Sequence, residues 1–159
     1  MPVAKRKHTL AHSESGQSLV ELAVTLPILI LLLLGTIDFG MAIFSYSMLR
    51  DAAQEGAFYG SFNPTSKAEI ENRTRNISPR GDDEVFSSPV NLRDKDLVLV
   101  NVKALGRACQ GTTNGVTNSI RVSVSYNYPV LMPFVGPVIG STIPLTGTAT
   151  NIILQPACP

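Results

Sequence analysis

The residues of this chain that could take part in acid–base chemistry are few and lie near its start. Both histidines, His8 and His12, precede Gly16, and no histidine follows them. Histidine is the side chain that most readily gains and loses a proton near neutral pH. A chain cut after Gly16 would keep none, so we expect no enzymatic function, no bound metal and no cofactor.

Motifs for nucleotide binding, zinc proteolysis and serine hydrolysis are absent from the sequence, which contains no GxxxxGK[ST], GxGxxG, HExxH, CxxC or GxSxG. The 13 Lys and Arg nearly balance the 12 Asp and Glu, so the net charge of +1 gives no reason to expect a nucleic-acid partner. A Ser–Lys or paired-carboxylate enzyme stays open, because Lys67, Lys95 and Lys103 remain, but nothing in the sequence places them together.

A possible peptide-cleavage site stands at the edge of a long apolar segment. Gly16 is followed by four uncharged residues and then by Glu21. Glycine has no Cβ, so a peptidase can approach its backbone closely, and a cut before Gln17 leaves a new α-amine there. A carboxylate within a bilayer costs about 2.5–3.5 kcal/mol and needs a partner. Glu21 could pair with such an amine, or it could simply extend to the lipid headgroups.

The apolar segment is long enough to cross a membrane. Residues Leu22–Ile37 carry no charge, and Glu21 and Asp38 bracket them about 26 Å apart along a helix, close to the hydrocarbon thickness of about 30 Å. Extended to Leu19 and Phe44, the segment exceeds the usual core of a secretory signal peptide, which is its main rival. We therefore expect a membrane span, with Asp38 as an acid at the membrane interface.

The basic residues near the start of the chain predict its orientation. Lys5, Arg6 and Lys7 precede the span, whereas Arg50 beyond it is offset by nearby acids. Positively charged loops remain on the cytoplasmic side. The N-terminus is therefore expected in the cytoplasm, and the C-terminal part in the periplasm or outside the cell.

The segment from Gly16 to Gly60 resembles a known family. A glycine followed at the fifth position by a glutamate is where type IV prepilins are cut. The combination of GQxxVE, LP, LLLLG, IDFG and AAxEGAxYG is similar to the TadE-like family of tight-adherence, Flp-type pilus systems. The resemblance implies a minor pseudopilin of the bacterial inner membrane that a prepilin peptidase cuts between Gly16 and Gln17. In type IV pilins the glutamate that corresponds to Glu21 is thought to pair with the N-terminal amine of a neighbouring subunit.

Leu22 departs from this pattern, because members of the family often carry an aromatic residue there. The implied partners are the peptidase, other pilins or pseudopilins, inner-membrane assembly components and membrane lipid. The alternative is a membrane-anchored extracytoplasmic binding module or enzyme with an uncleaved leader, which predicts no processing.

After the span, helical spacing continues as a stripe whose side chains become smaller along its length: Met41, Met48, Leu49, Ala52, Ala53, Gly56, Ala57 and Gly60. The stripe could pack on the chain's own sheet, which we favour, or on the helix of another subunit.

Asn63-Pro64 should end the helix, and the capping-box pattern Ser66-x-x-Glu69 predicts a short solvated helix over Lys67–Asn76. Residues 78–96 read as a loop.

Three strands are predicted over Leu97–Leu105, Ile120–Tyr128 and Thr142–Leu154, the second with strict alternation. An up-down-up order would bring Cys109 and Cys158 to one end of the sheet, which favours a disulfide in an oxidising compartment. The apolar connection 129–140 could cover the sheet as core, which we favour, or form an exposed patch.

The expected fold class is α+β: a long N-terminal transmembrane helix with an amphipathic extension, then a small antiparallel β-sheet domain. We expect a basic leader over residues 1–16, the helix over 17–60 and an extracytoplasmic domain over 61–159.

Overall fold

The structure, a computed structural model, describes residues 15–75, 89–132 and 140–158. The chain divides between Thr36 and Ile37 into two compact units. A long helix and a small antiparallel sheet domain are both present, which confirms the α+β fold class.

Helix α1 runs over Ser15–Phe62 and is continuous across Pro27. The hydroxyls of Thr25 and Thr36 donate to the carbonyls of Glu21 and Leu32 at 2.9 and 2.8 Å, so neither hydroxyl is left unsatisfied on an apolar surface. The helix ends just before Asn63-Pro64, as predicted, because proline has no backbone N–H to donate to the helix.

Helix α2 spans Lys67–Thr74 and differs from its prediction in two respects. It ends at Thr74, while the predicted last residue, Asn76, lies outside the described residues; the Ser66 side chain makes no capping hydrogen bond, so the predicted capping box is wrong. The helix is also not wholly solvated, because Ile70 and Thr74 are buried. The charged residues of α2 suggested a fully solvated helix, but Ile70 gives it one apolar face that packs inward.

The main sheet contains β1 (Val98–Leu105), β4 (Ser119–Pro129) and β5 (Thr142–Ile152), in the order β1-β4-β5 with both pairs antiparallel. The predicted up-down-up arrangement is confirmed. Between β1 and β4, β2 (Thr112–Thr113) and β3 (Val116–Thr117) form a small hairpin. Asn114 and Gly115 adopt φ of 51° and 78° at its turn, the left-handed region that a tight hairpin requires.

The core lies between one face of the sheet and the second unit's part of α1. On β4 the alternation holds, since Ile120, Val122 and Val124 are fully buried. The other members of the buried apolar cluster come from α1, α2, β1 and the segment before β1: Leu49, Ala52, Ala53, Ala57, Ile70, Val90 and Val98.

The two predicted connections are described only in part. Residues 78–88 of the loop expected over 78–96 lie outside the described residues, while 89–96 form bends and turns. In the connection 129–140, Phe134 and Val135 also lie outside them. Leu131 is 65 % exposed, so the core assignment is wrong for that residue.

Candidate functional site

Gly16, Gln17 and Glu21 lie in the first turns of α1, and all three are exposed. Among the described residues, no atom lies within 4 Å of a Cβ added to Gly16. Within the described ranges, the Glu21 carboxylate makes no hydrogen bond or ion pair. The geometry leaves this carboxylate available to a partner from another chain. Processing and pairing remain predictions.

The apolar part of α1 in the first unit presents its side chains outward. Leu22 is 55 % exposed and Leu32 is 64 % exposed. The helix contains an 18-residue window with a mean hydropathy of 2.4, none of it buried against the rest of the protein. By length and composition it can cross a membrane, and it thereby suggests that the chain is membrane-anchored.

Asp38 does not stand alone at the end of the apolar segment. Its Oδ1 accepts a 2.7 Å hydrogen bond from the hydroxyl of Tyr128, the next-to-last residue of β4. The N–H of Met132 donates to its Oδ2 at 3.2 Å, and the N–H of Leu131 lies 3.4 Å from its Oδ1. We call this arrangement of Asp38, Tyr128, Leu131 and Met132 the Asp38 clasp. The sequence predicted an interfacial acid but not its partners.

Tyr128 is only 5 % exposed. Burial, and then the hydrogen bond to Asp38, raise the pKa of Tyr128 from 10.0 to about 12, because both disfavour the phenolate. The phenol is therefore held as a neutral donor to the carboxylate. Alternation placed Tyr128 on the buried face of β4, yet no sequence signal identified the acid it would meet.

The small-residue stripe of α1 packs on the chain's own sheet from Leu49 onward, which confirms the alternative we favoured for that part. Leu49, Ala53 and Ala57 have no exposed surface. At Gly147 of β5 the strand meets the helix backbone so closely that a Cβ would lie 2.5 Å from the Arg50 nitrogen. Met41 is 38 % exposed and lies outside this packing.

Cys109 and Cys158 form a disulfide with a Cα–Cα distance of 5.0 Å and a sequence separation of 49. Cys109 follows β1 and Cys158 follows β5, so both lie at the same end of the sheet, as the strand order predicted. Asn118 supports this corner, since its Nδ2 donates to the Cys109 carbonyl at 3.1 Å. The N–H of Leu154 donates to the Ser61 carbonyl at 2.8 Å, which ties the C-terminal segment to the end of α1.

Arg75, just after α2, is a structural residue that sequence reasoning missed. It is 3 % exposed, and its guanidinium pairs with Glu71 at 2.9 Å. It also donates to the carbonyls of Leu92 and Val98 at 2.9 and 3.0 Å. These bonds fasten α2 to the segment that enters β1. The Glu71–Arg75 spacing of four residues was the one available signal.

The part of the chain that the structure describes contains no group of three or more His, Cys, Asp or Glu side chains that could hold a metal ion. The lysines that left an enzyme open, Lys67, Lys95 and Lys103, lie on α2, before β1 and within β1. Nothing described brings a nucleophile and a base together there. The expectation of a non-enzymatic protein stays a prediction.

Residues 16–57 match the model of a family described as TadE-like protein. The resemblance predicted from the sequence is thereby confirmed for this segment, and it supports a pilus-associated role in general. The match ends within α1, before the sheet domain begins. No curated protein and no solved structure matches the chain.

Proposed function

We propose that this chain, with its TadE-like segment at residues 16–57, is a minor pseudopilin for the assembly of adhesive Flp-type pili. The observation that carries the proposal is the coincidence of that segment with one continuous helix. Within it Gly16, the unpaired Glu21 and the exposed apolar surface follow in the order that a processed, membrane-held subunit needs.

The first step of this function is removal of the leader by a prepilin peptidase at the cytoplasmic face of the inner membrane. The lack of any described atom within 4 Å of a Cβ at Gly16 supports a cut between Gly16 and Gln17. Cleavage would discard Lys5, Arg6 and Lys7 with both histidines and leave a positive α-amine on Gln17. The mature chain would then carry opposite charges at its first and fifth residues.

The second step is pairing of Glu21 with the N-terminal amine of a neighbouring pilin or pseudopilin. A carboxylate in hydrocarbon is unfavourable unless an opposite charge compensates it. Within the described part of the chain no cation pairs with Glu21, so we take the amine of a neighbouring subunit as its partner in the assembled pilus. Assembly in the correct register would then remove the free-energy cost of the unpaired Glu21 carboxylate.

The sheet domain, in this proposal, lies on the periplasmic or extracellular side and serves interaction rather than turnover. Its disulfide supports an oxidising compartment, where such bonds persist. Inner-membrane assembly components and other subunits are the partners that this location would provide.

Mass spectrometry of the membrane-extracted protein tests the processing step. We expect an N-terminus at Gln17 in the native chain and an intact Met1 leader in Gly16→Ala. The matched control is Gly40→Ala, because a Cβ at Gly40 also meets no atom within 4 Å and the site lies on the same helix. An intact leader in the native protein, isolated from cells that contain the peptidase, would instead support a binding module or enzyme with an uncleaved anchor.

Pilus assembly in Glu21→Gln tests the pairing step. The amide keeps the shape but loses the charge, so the protein should insert and be processed while piliation falls. Glu55→Gln is the control, since Glu55 is an exposed carboxylate on the same helix beyond the apolar segment. Normal piliation in Glu21→Gln would contradict the pairing step but would not affect the processing step.

A further inference from the structure

We propose that the sheet domains of two copies of this chain associate side by side through oppositely charged surfaces. The basic face, Lys103 and Arg121 on the sheet of one copy, docks on the acidic face, Asp51 and Glu55 on helix α1 of the other. Both faces lie within the second unit of the chain, Ile37–Pro159. The contact is separate from leader processing and from the pairing step, and it requires neither.

The basic face consists of two exposed cations that stand directly opposite each other on neighbouring strands. Lys103 of β1 pairs with Arg121 of β4, while their strand neighbours Val102 and Val122 face the core on the other side of the sheet. Like charges in this position destabilise a sheet. The Arg121 Nε donates to the Thr150 hydroxyl at 3.2 Å, and neither cation belongs to an ion pair among the described residues. An acidic partner would remove their repulsion.

The neighbouring sequence supplies no acid that could compensate these cations. Asp96 is the last acid of the chain, so residues 97–159 carry three cations and no negative side chain: Lys103, Arg107 and Arg121. The carbonyl of Asp94 accepts a hydrogen bond from the Val98 N–H, which places that acid at the start of β1. Lys103 lies five residues further along the strand, about 17 Å away. This distance exceeds the screening length of about 8 Å at physiological ionic strength.

Helix α2 does not bring its acids to the basic face either. The Thr74 side chain packs against Gly56 of α1, so α2 lies on the α1 side of the sheet. Glu71 is already paired with Arg75, and Glu69 is exposed on the same helix. Among the described residues, the partner of the basic face must therefore come from another molecule.

The acidic face is a matching pair of like charges on α1. Asp51 and Glu55 are exposed, stand about one turn apart, and belong to no ion pair among the described residues. Like charges at this spacing destabilise a helix. Arg50 points about 100° away from Asp51 around the helix axis. Arg73, the nearby cation of α2, lies over the ring of Tyr59 instead.

The two faces match in spacing and in their apolar neighbours. Side chains one turn apart on a helix have Cβ atoms about 5–6 Å apart, and directly opposed residues on antiparallel strands about 4.5–5.5 Å. Each acid can therefore meet one cation. Beyond the acids α1 presents Phe58, which is 58 % exposed, and the next row of the sheet beyond the cations presents Ile152, which is 55 % exposed. An apolar contact would thus lie beside the two ion pairs.

Helix α1 and strand β5 run in the same direction within the domain. Gly147 lies against the backbone of Leu49, and further along both elements the Leu154 N–H donates to the Ser61 carbonyl. The charged pair therefore precedes the apolar residue in the same direction on each face. Two copies that point the same way present these features to each other in matching order.

The two faces also lie at the same level of the domain. Arg121 is paired with Thr150, which follows Gly147 by three residues or about 10 Å. The same rise along α1 from Leu49 corresponds to about seven residues, which reaches the turn that contains Glu55. A neighbour in the same orientation can therefore bring its basic face to the acidic face without a large axial shift. Because the contact joins two different surfaces, each copy keeps one face free for a further copy.

Photo-crosslinking of the full chain tests the contact on otherwise native protein. The chain would carry Phe58→benzoylphenylalanine and be reconstituted in phosphatidylcholine vesicles without any other protein. We expect a covalent dimer whose joined peptide, identified by mass spectrometry, comes from β1 or β4 of the second copy. Absence of the dimer, or joining only to α1 of the second copy, would overturn the proposal.

Charge reversal with the same photo-probe tests the two faces separately. Lys103→Glu/Arg121→Glu and Asp51→Lys/Glu55→Lys each give both faces the same sign, so the dimer yield should fall at least about fivefold. An equimolar mixture of the two variants brings opposite faces together again and should restore the native yield. All four substitutions in one chain should restore it as well. Unchanged yields in the separate variants, or no recovery in the mixture and in the fourfold variant, would contradict the contact.

Two further variants distinguish this contact from other electrostatic effects. Lys67→Glu/Lys95→Glu makes the same change of charge at exposed residues outside the basic face and should keep the native yield. Asp82→Asn/Asp83→Asn/Glu84→Gln changes acids that lie outside the described residues. A loss of dimer in this triple variant would make those acids the partner of the basic face and overturn the role of α1. Because the vesicles contain no peptidase and no pilus component, failure of processing or piliation in cells would leave these results unaffected.

Discussion

The hydroxyl of Tyr128 donates a 2.7 Å hydrogen bond to the carboxylate of Asp38, across 90 residues of sequence. Asp38 lies where the apolar part of α1 ends, and Tyr128 lies near the end of the central strand. The bond sets how far along the helix the sheet can lie. A shift by one helical turn, about 5.4 Å, would break it together with the backbone bonds of the clasp.

Tyr128→Phe should destabilise the sheet domain by about 1–3 kcal/mol, because it removes a buried hydrogen bond to a charged group. Amide hydrogen exchange of the β4 backbone, measured on the detergent-solubilised full chain, reports the change. Tyr46→Phe is the control, since Tyr46 is 43 % exposed and its removal should change little. A double-mutant cycle with Asp38→Ala should show coupling between the two sites; additive losses would mean that the bond contributes nothing.

Alkaline pH should weaken the domain through Tyr128. Its pKa is raised in the folded chain to about 12 from an ordinary 10.0, so the folded state holds the phenolic proton more tightly than the unfolded state does. The stabilisation is therefore complete below pH 10 and is lost as the pH rises through about 12, by at most about 3 kcal/mol.

Absorbance titration of the phenolates checks this dependence. The native curve minus that of Tyr128→Phe should contain one transition centred near pH 12. The variant should also lose less stability than the native protein over that range. A difference transition near pH 10 would show that burial and the Asp38 hydrogen bond do not hold the proton.

Gly147→Ala should destabilise the domain by about 1–3 kcal/mol, because its Cβ would lie 2.5 Å from the Arg50 nitrogen and the helix backbone cannot yield. Gly40→Ala should have the opposite sign or none, since a Cβ there has open space and alanine favours a helix over glycine by up to about 1 kcal/mol. Urea denaturation of both variants measures the difference. Equal stability of the two would show that the helix and β5 do not approach so closely.

Reduction of Cys109–Cys158 should cost about 2–4 kcal/mol, because the bond closes a separation of 49 residues in a small domain. Thermal unfolding with and without reductant measures the loss. The double variant Cys109→Ser/Cys158→Ser should unfold at the lower temperature and be insensitive to reductant. Thiol labelling of the native folded protein should give no product, and stoichiometric labelling would contradict the bond.

Much of the architecture was predictable because it depends on local periodicity. The charge-free run of α1 and the alternation of Ile120, Val122 and Val124 each identify an element and its buried face. Asn63-Pro64 identifies the end of the helix. The strand order then sufficed to place Cys109 near Cys158.

The predictions made from the sequence were wrong where a tertiary contact outweighed a local sequence pattern. The Ser66 capping pattern was present, but the helix forms without it because Ile70 packs into the core and Arg75 bonds to the carbonyls beyond. Leu131 is apolar, yet it is exposed. Composition cannot report such contacts, since they depend on residues distant in sequence.

The sequence by itself determined the apolar helix, the TadE-like segment with Gly16 and Glu21, and the three strands, because spacing and charge along a short stretch set each of these. Only the tertiary structure decided that Asp38 is held by Tyr128 and that Gly147 lies against the backbone at Arg50. Residues far apart in the chain make these contacts. Their partners are chosen by the register of helix on sheet, which no local pattern encodes.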